Sequence, residues 1–218
     1  MPERVTIPIS VLDNSCDFIR PIISIWMDRA LLVQSMFDAL LKWNIDVNEV
    51  DPINTGKPSE QGIKIKLPEK RVTFFFGASG CKFKRESVDW ATAEETIEIL
   101  QTCLTTLFAV TKAEMSNQKI ALHLHLQPST KNFVDLLRPF LSSELIGMRD
   151  AKLKTGASIV VWEDGKVTFD GSAALANGVY IKYEREFDKT ATFEMMAKEL
   201  HSGEEVLFRL LDVEEADI

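Results

Sequence analysis

His123 and His125 stand two residues apart in the run KIALHLHLQ at 119–127, and they are the only close pair among the chain's three histidines. On a β-strand, residues at this spacing project from the same face. Such a pair can share a proton, bind an anion or form one edge of a metal site, because imidazole titrates near neutral pH and carries two distinct nitrogens. A metal centre needs a third and usually a fourth ligand. His201 lies on a distant helical segment, and Glu184 or Asp170 could join only if the strand order brings them near. No metal and no cofactor is therefore expected. An enzyme, hydrolytic or metal-dependent and centred on His123 and His125, stands as an alternative reading.

Basic residues form the second constellation. Lys64 and Lys66 alternate with apolar residues in IKIKL (63–67), Arg71 opens RVTFFF (71–76), and Lys82 and Lys84 alternate with Cys81 and Phe83 in CKFKRE (81–86). Lys166 opens KVTFD (166–170), and Tyr180 and Lys182 alternate with apolar residues in VYIKYERE (179–186). If the apolar set faces a core, these residues share the opposite face with Thr73, Phe75 and the histidines. Clustered positive charge raises the local potential and the association rate of anions. Lysine on an open sheet face also simply solvates it and discourages strand pairing. The expectation is a non-enzymatic binding or adaptor module that offers a locally cationic sheet face to a protein partner or a small anionic ligand. Nucleic-acid binding through the strip from Lys64 to Lys84 is a further alternative.

Other chemistries leave little trace. GASG at 77–80 precedes a strand and lacks the lysine and helix of a phosphate loop, so it reads as a turn. There is no GxSxG and no HExxH. Cys16, Cys81 and Cys103 make an odd, unclustered set, which predicts buried reduced thiols in place of a disulfide framework or thiolate zinc site. The formal charge of −8, from 25 basic and 33 acidic residues, argues against a large footprint on duplex phosphate. The opening MPERVTIPIS lacks a basic end followed by a long apolar run, and acidic residues interrupt the apolar stretches near residues 22–38. These features predict a soluble cytoplasmic protein with no membrane span, in which self-association is possible.

The elements that must position these residues follow from periodicity. With 45% hydrophobic residues over 218 positions, the chain can bury a substantial core. Val5, Ile7, Ile9 and Val11 alternate as one side of a strand, and residues 28–43 carry Leu32, Met36, Leu40 and Trp43 at helical spacing. Residues 48–62 read as a loop, followed by three strands at 63–67, 71–76 and 81–86. Thr92 with Glu95 has the form of a capping box for a helix that ends near Met115. The second half repeats the order: a strand at 119–127, a helix at 129–141 interrupted near Pro139, and strands at 157–162, 166–170 and 179–186. A tight turn is expected at Asp164-Gly165, a helix near Thr192, and a last amphipathic segment capped by Ser202 and Glu205. The acidic end from Asp212 to Asp217 reads as a fraying tail.

Residues echo this order. Arg71-Val-Thr-Phe answers Lys166-Val-Thr-Phe at an offset of 95, which grows to 100 at Glu86 and Glu186. The predicted fold class is α+β: a strand-helix-three-strand-helix unit, duplicated over 1–115 and 116–218, that forms one curved antiparallel sheet with helices on one face. In topology alone this saddle-like plan resembles the TATA-box-binding protein and duplicated small-molecule effector domains. The resemblance carries over no functional residue.

Overall fold

The computed structural model describes residues 2–22, 29–53, 61–140 and 158–216. In chain order the elements are β1 (Glu3–Phe18), α1 (Arg29–Leu40), β2 (Val50–Ile53), β3 (Gly62–Leu67), β4 (Val72–Gly77), β5 (Gly80–Glu86) and α2 (Ala93–Thr111), then β6 (Met115–Pro128), α3 (Phe133–Leu137), β7 (Ser158–Trp162), β8 (Gly165–Gly171), β9 (Val179–Phe187), α4 (Phe193–Leu211) and β10 (Val213–Glu215). The fold is α+β, with an open, largely antiparallel sheet ordered β2-β3-β4-β5-β1-β6-β9-β8-β7, and β10 added parallel to β1. No helix among the described residues is long and apolar enough to cross a membrane.

Two compact units share these elements: Leu12–Ile120 with Glu186–Ala197, and Met1–Val11 with Ala121–Arg185 and Lys198–Ile218. In the first, α1 buries Leu32, Met36 and Leu40, one per helical turn, while α2 buries Ile99, Leu100, Cys103, Leu104 and Leu107. They close over the inward residues of the β3-β4-β5 meander: Ile63, Ile65 and Leu67, then Val72, Phe74 and Phe76, then Cys81 and Phe83. Apart from the buried glycines 62 and 77, these strands alternate, so one set of side chains faces the helices and the other lies open.

In the second unit, Leu122, Leu124 and Leu126 of β6 are buried, as are Val167 and Phe169 of β8 and Val179, Ile181 and Tyr183 of β9. Leu200, Leu207 and Leu211 of α4 are buried as well. The buried carboxylate of Glu3 accepts the Thr130 hydroxyl and the N–H groups of Thr130 and Lys131. One acidic side chain thereby ties the segment after β6 to the start of β1, and these bonds hold its pKa below the usual carboxylate range.

Several expectations are corrected here. β1 does not keep one phase: Val5 is buried, but beyond it Ser10, Leu12, Asn14, Cys16 and Phe18 take the buried positions and leave Ile7, Ile9 and Val11 half-buried. The slip falls on a stretch containing Pro8, which has no N–H to give a ladder. Residues 50–53, expected as loop, form the edge strand β2, where Pro52 is tolerated; 54–60 lie outside the described residues. Thr92 makes no side-chain cap, since its hydroxyl donates to the Asp89 carbonyl and its own N–H is taken by the Asp89 carboxylate. Glu95 turns instead to Lys70 and Arg85, because the Arg85 guanidinium, buried on the helix side of β5, needs a counter-charge.

Helix α2 ends at Thr111, where Lys112 enters the left-handed region at φ 55° and returns its N–H to Phe108. The tight turn between β7 and β8 is Glu163-Asp164, one position earlier than expected, with Trp162 opposite Gly165. The helix at 129–141 is short, α3 followed by a 3₁₀ turn over Arg138–Phe140; position 141 lies outside the described residues. Ser202 and Glu205 cap nothing, because α4 runs unbroken past them. The acidic end is no fraying tail over 213–215, where β10 pairs with Glu3, Arg4 and Val5.

Candidate functional site: the open face of the sheet

On the first unit, strand register writes the open face as cross-strand rows. Asp51, Lys64, Phe75 and Lys82 lie directly opposite one another across β2 to β5, and Lys66, Thr73 and Lys84 form the next row across β3 to β5. Lys66 is neutralised by Asp51 at 2.7 Å and Glu49 at 4.0 Å. The hydrogen bond to Asp51 raises the Lys66 pKa and lowers that of Asp51. Lys84 pairs with Glu86 at 2.7 Å. Lys64 and Lys82 form no ion pair among the described residues, although the charge of Lys64 helps to lower the pKa of Asp51 opposite it; Phe75 lies between the two lysines in register, and its ring leans along the strands. That ring is half-buried because it lies across the paired glycines 62 and 77: a Cβ at Gly62 would come within 2.4 Å of it. A side chain there would displace the aromatic from the row.

Arg71 departs from its expected place. It closes the 3₁₀ turn Pro68–Lys70 in the left-handed conformation, φ 52°, and its guanidinium donates to the Ser87 hydroxyl. It therefore belongs to a turn at the end of the meander and contributes nothing to the lysine rows.

On the second unit, His123 and His125 sit half-buried on the face opposite Leu122, Leu124 and Leu126, as the alternation predicts. His123 Nδ1 is 2.7 Å from the Tyr180 hydroxyl, and His125 Nδ1 is 2.8 Å from Ser172 Oγ. The His125 and Tyr180 rings are 4.9 Å apart at 43°. Ser172 Oγ already accepts the N–H groups of Ala174 and Leu175, at 3.2 and 3.0 Å, so its proton goes to His125 Nδ1. That bond fixes the neutral tautomer with the proton on Nε2. Burial, with a contribution from His123, lowers the His125 pKa accordingly.

Lys166 and Lys182 both turn to the buried carboxylate of Glu184, at 3.1 and 2.5 Å. The Asp170 carboxylate accepts the Gly171 N–H. Among the described residues no group of three or more His, Cys, Asp or Glu is arranged to hold a metal ion. No protein-family model matches the chain, and no curated protein is similar to it.

Three features escaped sequence reasoning. Ser172 lies 47 positions from His125 in a small-residue loop, and no spacing signal links them. Glu184 was visible as a carboxylate on the same strand face as Lys182, though not as the shared counter-ion of two lysines. The cysteines, far apart in sequence, come together: a hydrogen bond with Cys16, then burial, pushes the Cys81 thiol up, and burial takes Cys103 to about 12. All three are free and buried, so they pack as small apolar residues.

Proposed function

We propose that the chain is a non-enzymatic binding module whose open sheet face over residues 62–86 takes an acidic segment of a partner protein. The observation that carries this reading is the row Lys64–Phe75–Lys82. Its two cations are spared by the carboxylates that neutralise Lys66, Lys84, Lys166 and Lys182. Two strand spacings put the lysine backbones about 10 Å apart, close to the reach of three residues of extended peptide. A segment with two carboxylates flanking an apolar side chain matches the row in charge and in shape. The histidine face of the other unit presents a polar surface, His123, His125 and Tyr180, and reads as a secondary contact region.

The Ser172–His125 contact is what a hydrolytic reading would require. An Oγ that receives two backbone N–H groups is a fastened loop side chain with its lone pairs engaged, so we assign the contact to holding the loop. Two lysines without an ion pair among the described residues also suit a short acidic peptide better than a nucleic-acid backbone, whose binders make many phosphate contacts.

A duplication of one strand-helix-three-strand-helix unit over 1–115 and 116–218 belongs to the same reading. It is supported by the parallel element order and by a sheet order in which β1 neighbours β5 as β6 neighbours β9.

Titration with a polyglutamate peptide tests the function. The expected result is binding that weakens steeply with salt and is lost in the double variant Lys64→Glu, Lys82→Glu, while Lys66→Glu, Lys84→Glu retains most of it. Equal loss in both double variants, or stronger binding of a single-stranded oligonucleotide, would overturn it.

A further inference from the structure

The two outer strands of the sheet are treated differently. At one edge, β2 carries Asp51 and Pro52, a charge and a residue without an N–H, both of which blunt strand pairing. At the other, β7 reads Ser-Ile-Val-Val-Trp, with no charge, no proline and no glycine, and among the described residues it pairs with β8 alone. Its apolar side chains are open on both faces of the sheet: Ile159 is 60% exposed, Val160 50% and Val161 70%. Val160 shares a groove of about 290 Å³ with Val206 and Leu210 of α4, which are themselves 45% and 55% exposed. One end of the sheet thus joins an unprotected β-prone edge to an exposed apolar helix flank.

We propose that this edge is a homodimer interface, in which β7 of two copies pairs antiparallel about a two-fold axis through Val160. With the axis perpendicular to the sheet, Ile159 of one copy opposes Val161 of the other, so the central strand side chains that meet are apolar. The same operation keeps both α4 helices on one side and turns the two Val206–Leu210 flanks toward each other. A second copy fits where a charged partner does not, because the five residues of β7 bring no charge to the contact. Five residues at about 3.4 Å each give a contact about 17 Å long. With a sheet layer and a helix layer of about 10 Å each, the contact covers about 340 Å² on each copy, roughly 700 Å² in total, below the standard size and in the range of weak association. The dimer is correspondingly weak, with micromolar dissociation.

Charge supplies a signature of its own. Each copy carries −8, so two copies repel at long range, while the β7 strands bring no charge to the contact. Raising salt from about 50 to about 500 mM screens that repulsion and tightens the dimer, the opposite of what salt does to an acidic peptide on the lysine row. The proposal stands or falls independently of that row.

Sedimentation equilibrium on the full chain from about 1 to about 100 µM tests it. The expected result is a monomer–dimer equilibrium that strengthens with salt, weakened at least about tenfold by Val161→Lys and equally by Ile159→Lys. Val47→Lys, an exposed apolar position in the other unit, leaves it unchanged. Circular dichroism confirms that each variant is folded, and either β7 variant suffices if the other is not. A monomer throughout, a dimer indifferent to both β7 variants, or one equally sensitive to Val47→Lys would overturn it.

Discussion

His125 is held neutral by its surroundings, and that has a consequence in pH. Its folded pKa lies below the unfolded value of about 6.5, so below that value the unfolded chain binds the proton more readily. Stability is then lost as pH falls from about 7 through 6. A urea midpoint that declines over this window in the native chain and declines less in His125→Gln is the expected outcome. Glu3 has the opposite chemistry and a lower window. Its folded pKa is depressed by the bonds from Thr130 and Lys131, so its contribution is present above about 4.3 and disappears as pH falls through the folded value. Glu3→Gln removes a charged acceptor of three hydrogen bonds and is expected to lower stability at neutral pH by about 1–3 kcal/mol, measured by denaturant unfolding, while flattening the acid limb. The open position of both histidines was legible from a two-residue period. Their partners were not, because Tyr180 and Ser172 lie 57 and 47 residues away and only the sheet order brings them in.

At the scale of elements, alternation carried most of the information. It placed the inward and outward sets of β3, β4 and β5 correctly because each has one buried face; in β6 it held from Leu122 to Gln127, while Ala121, expected outward, is buried. It failed in β1, where the phase slips near Pro8, and in β2, where four residues around a proline look like loop until β3 gives them a partner. Local capping signals failed for a related reason: Glu95 was drawn away by buried Arg85, and Ser202–Glu205 fell inside a helix that continues. Gly203 shows why the sequence suggested a break there. A Cβ at this position would stand 2.3 Å from the Tyr183 ring, so the glycine lets α4 lie directly on β9 and its helix-interior cost is offset by that approach. Gly203→Ala, which raises helix propensity, is nevertheless expected to destabilise by about 1–3 kcal/mol through overpacking. A thermal melt at or above the native midpoint would show that the close approach is not needed.

For the whole molecule, net charge is a poor guide to its surfaces. An acidic chain carries a row in which two lysines flank Phe75 in register, and the sequence alone could not separate these two from the four lysines of the sheet face that carboxylates neutralise. That separation depends on registers such as Asp51 opposite Lys64, which places the Asp51 carboxylate within reach of Lys66 on the same strand. Backbone amide chemical-shift mapping of the full chain during titration with polyglutamate peptide tests the central claim most directly. Saturable shifts are expected on Lys64, Phe75, Lys82 and their strand neighbours, absent in the Lys64→Glu, Lys82→Glu chain. Shifts centred on His123, His125 and Lys182 with the row silent, or no saturable shift at low salt, would contradict it.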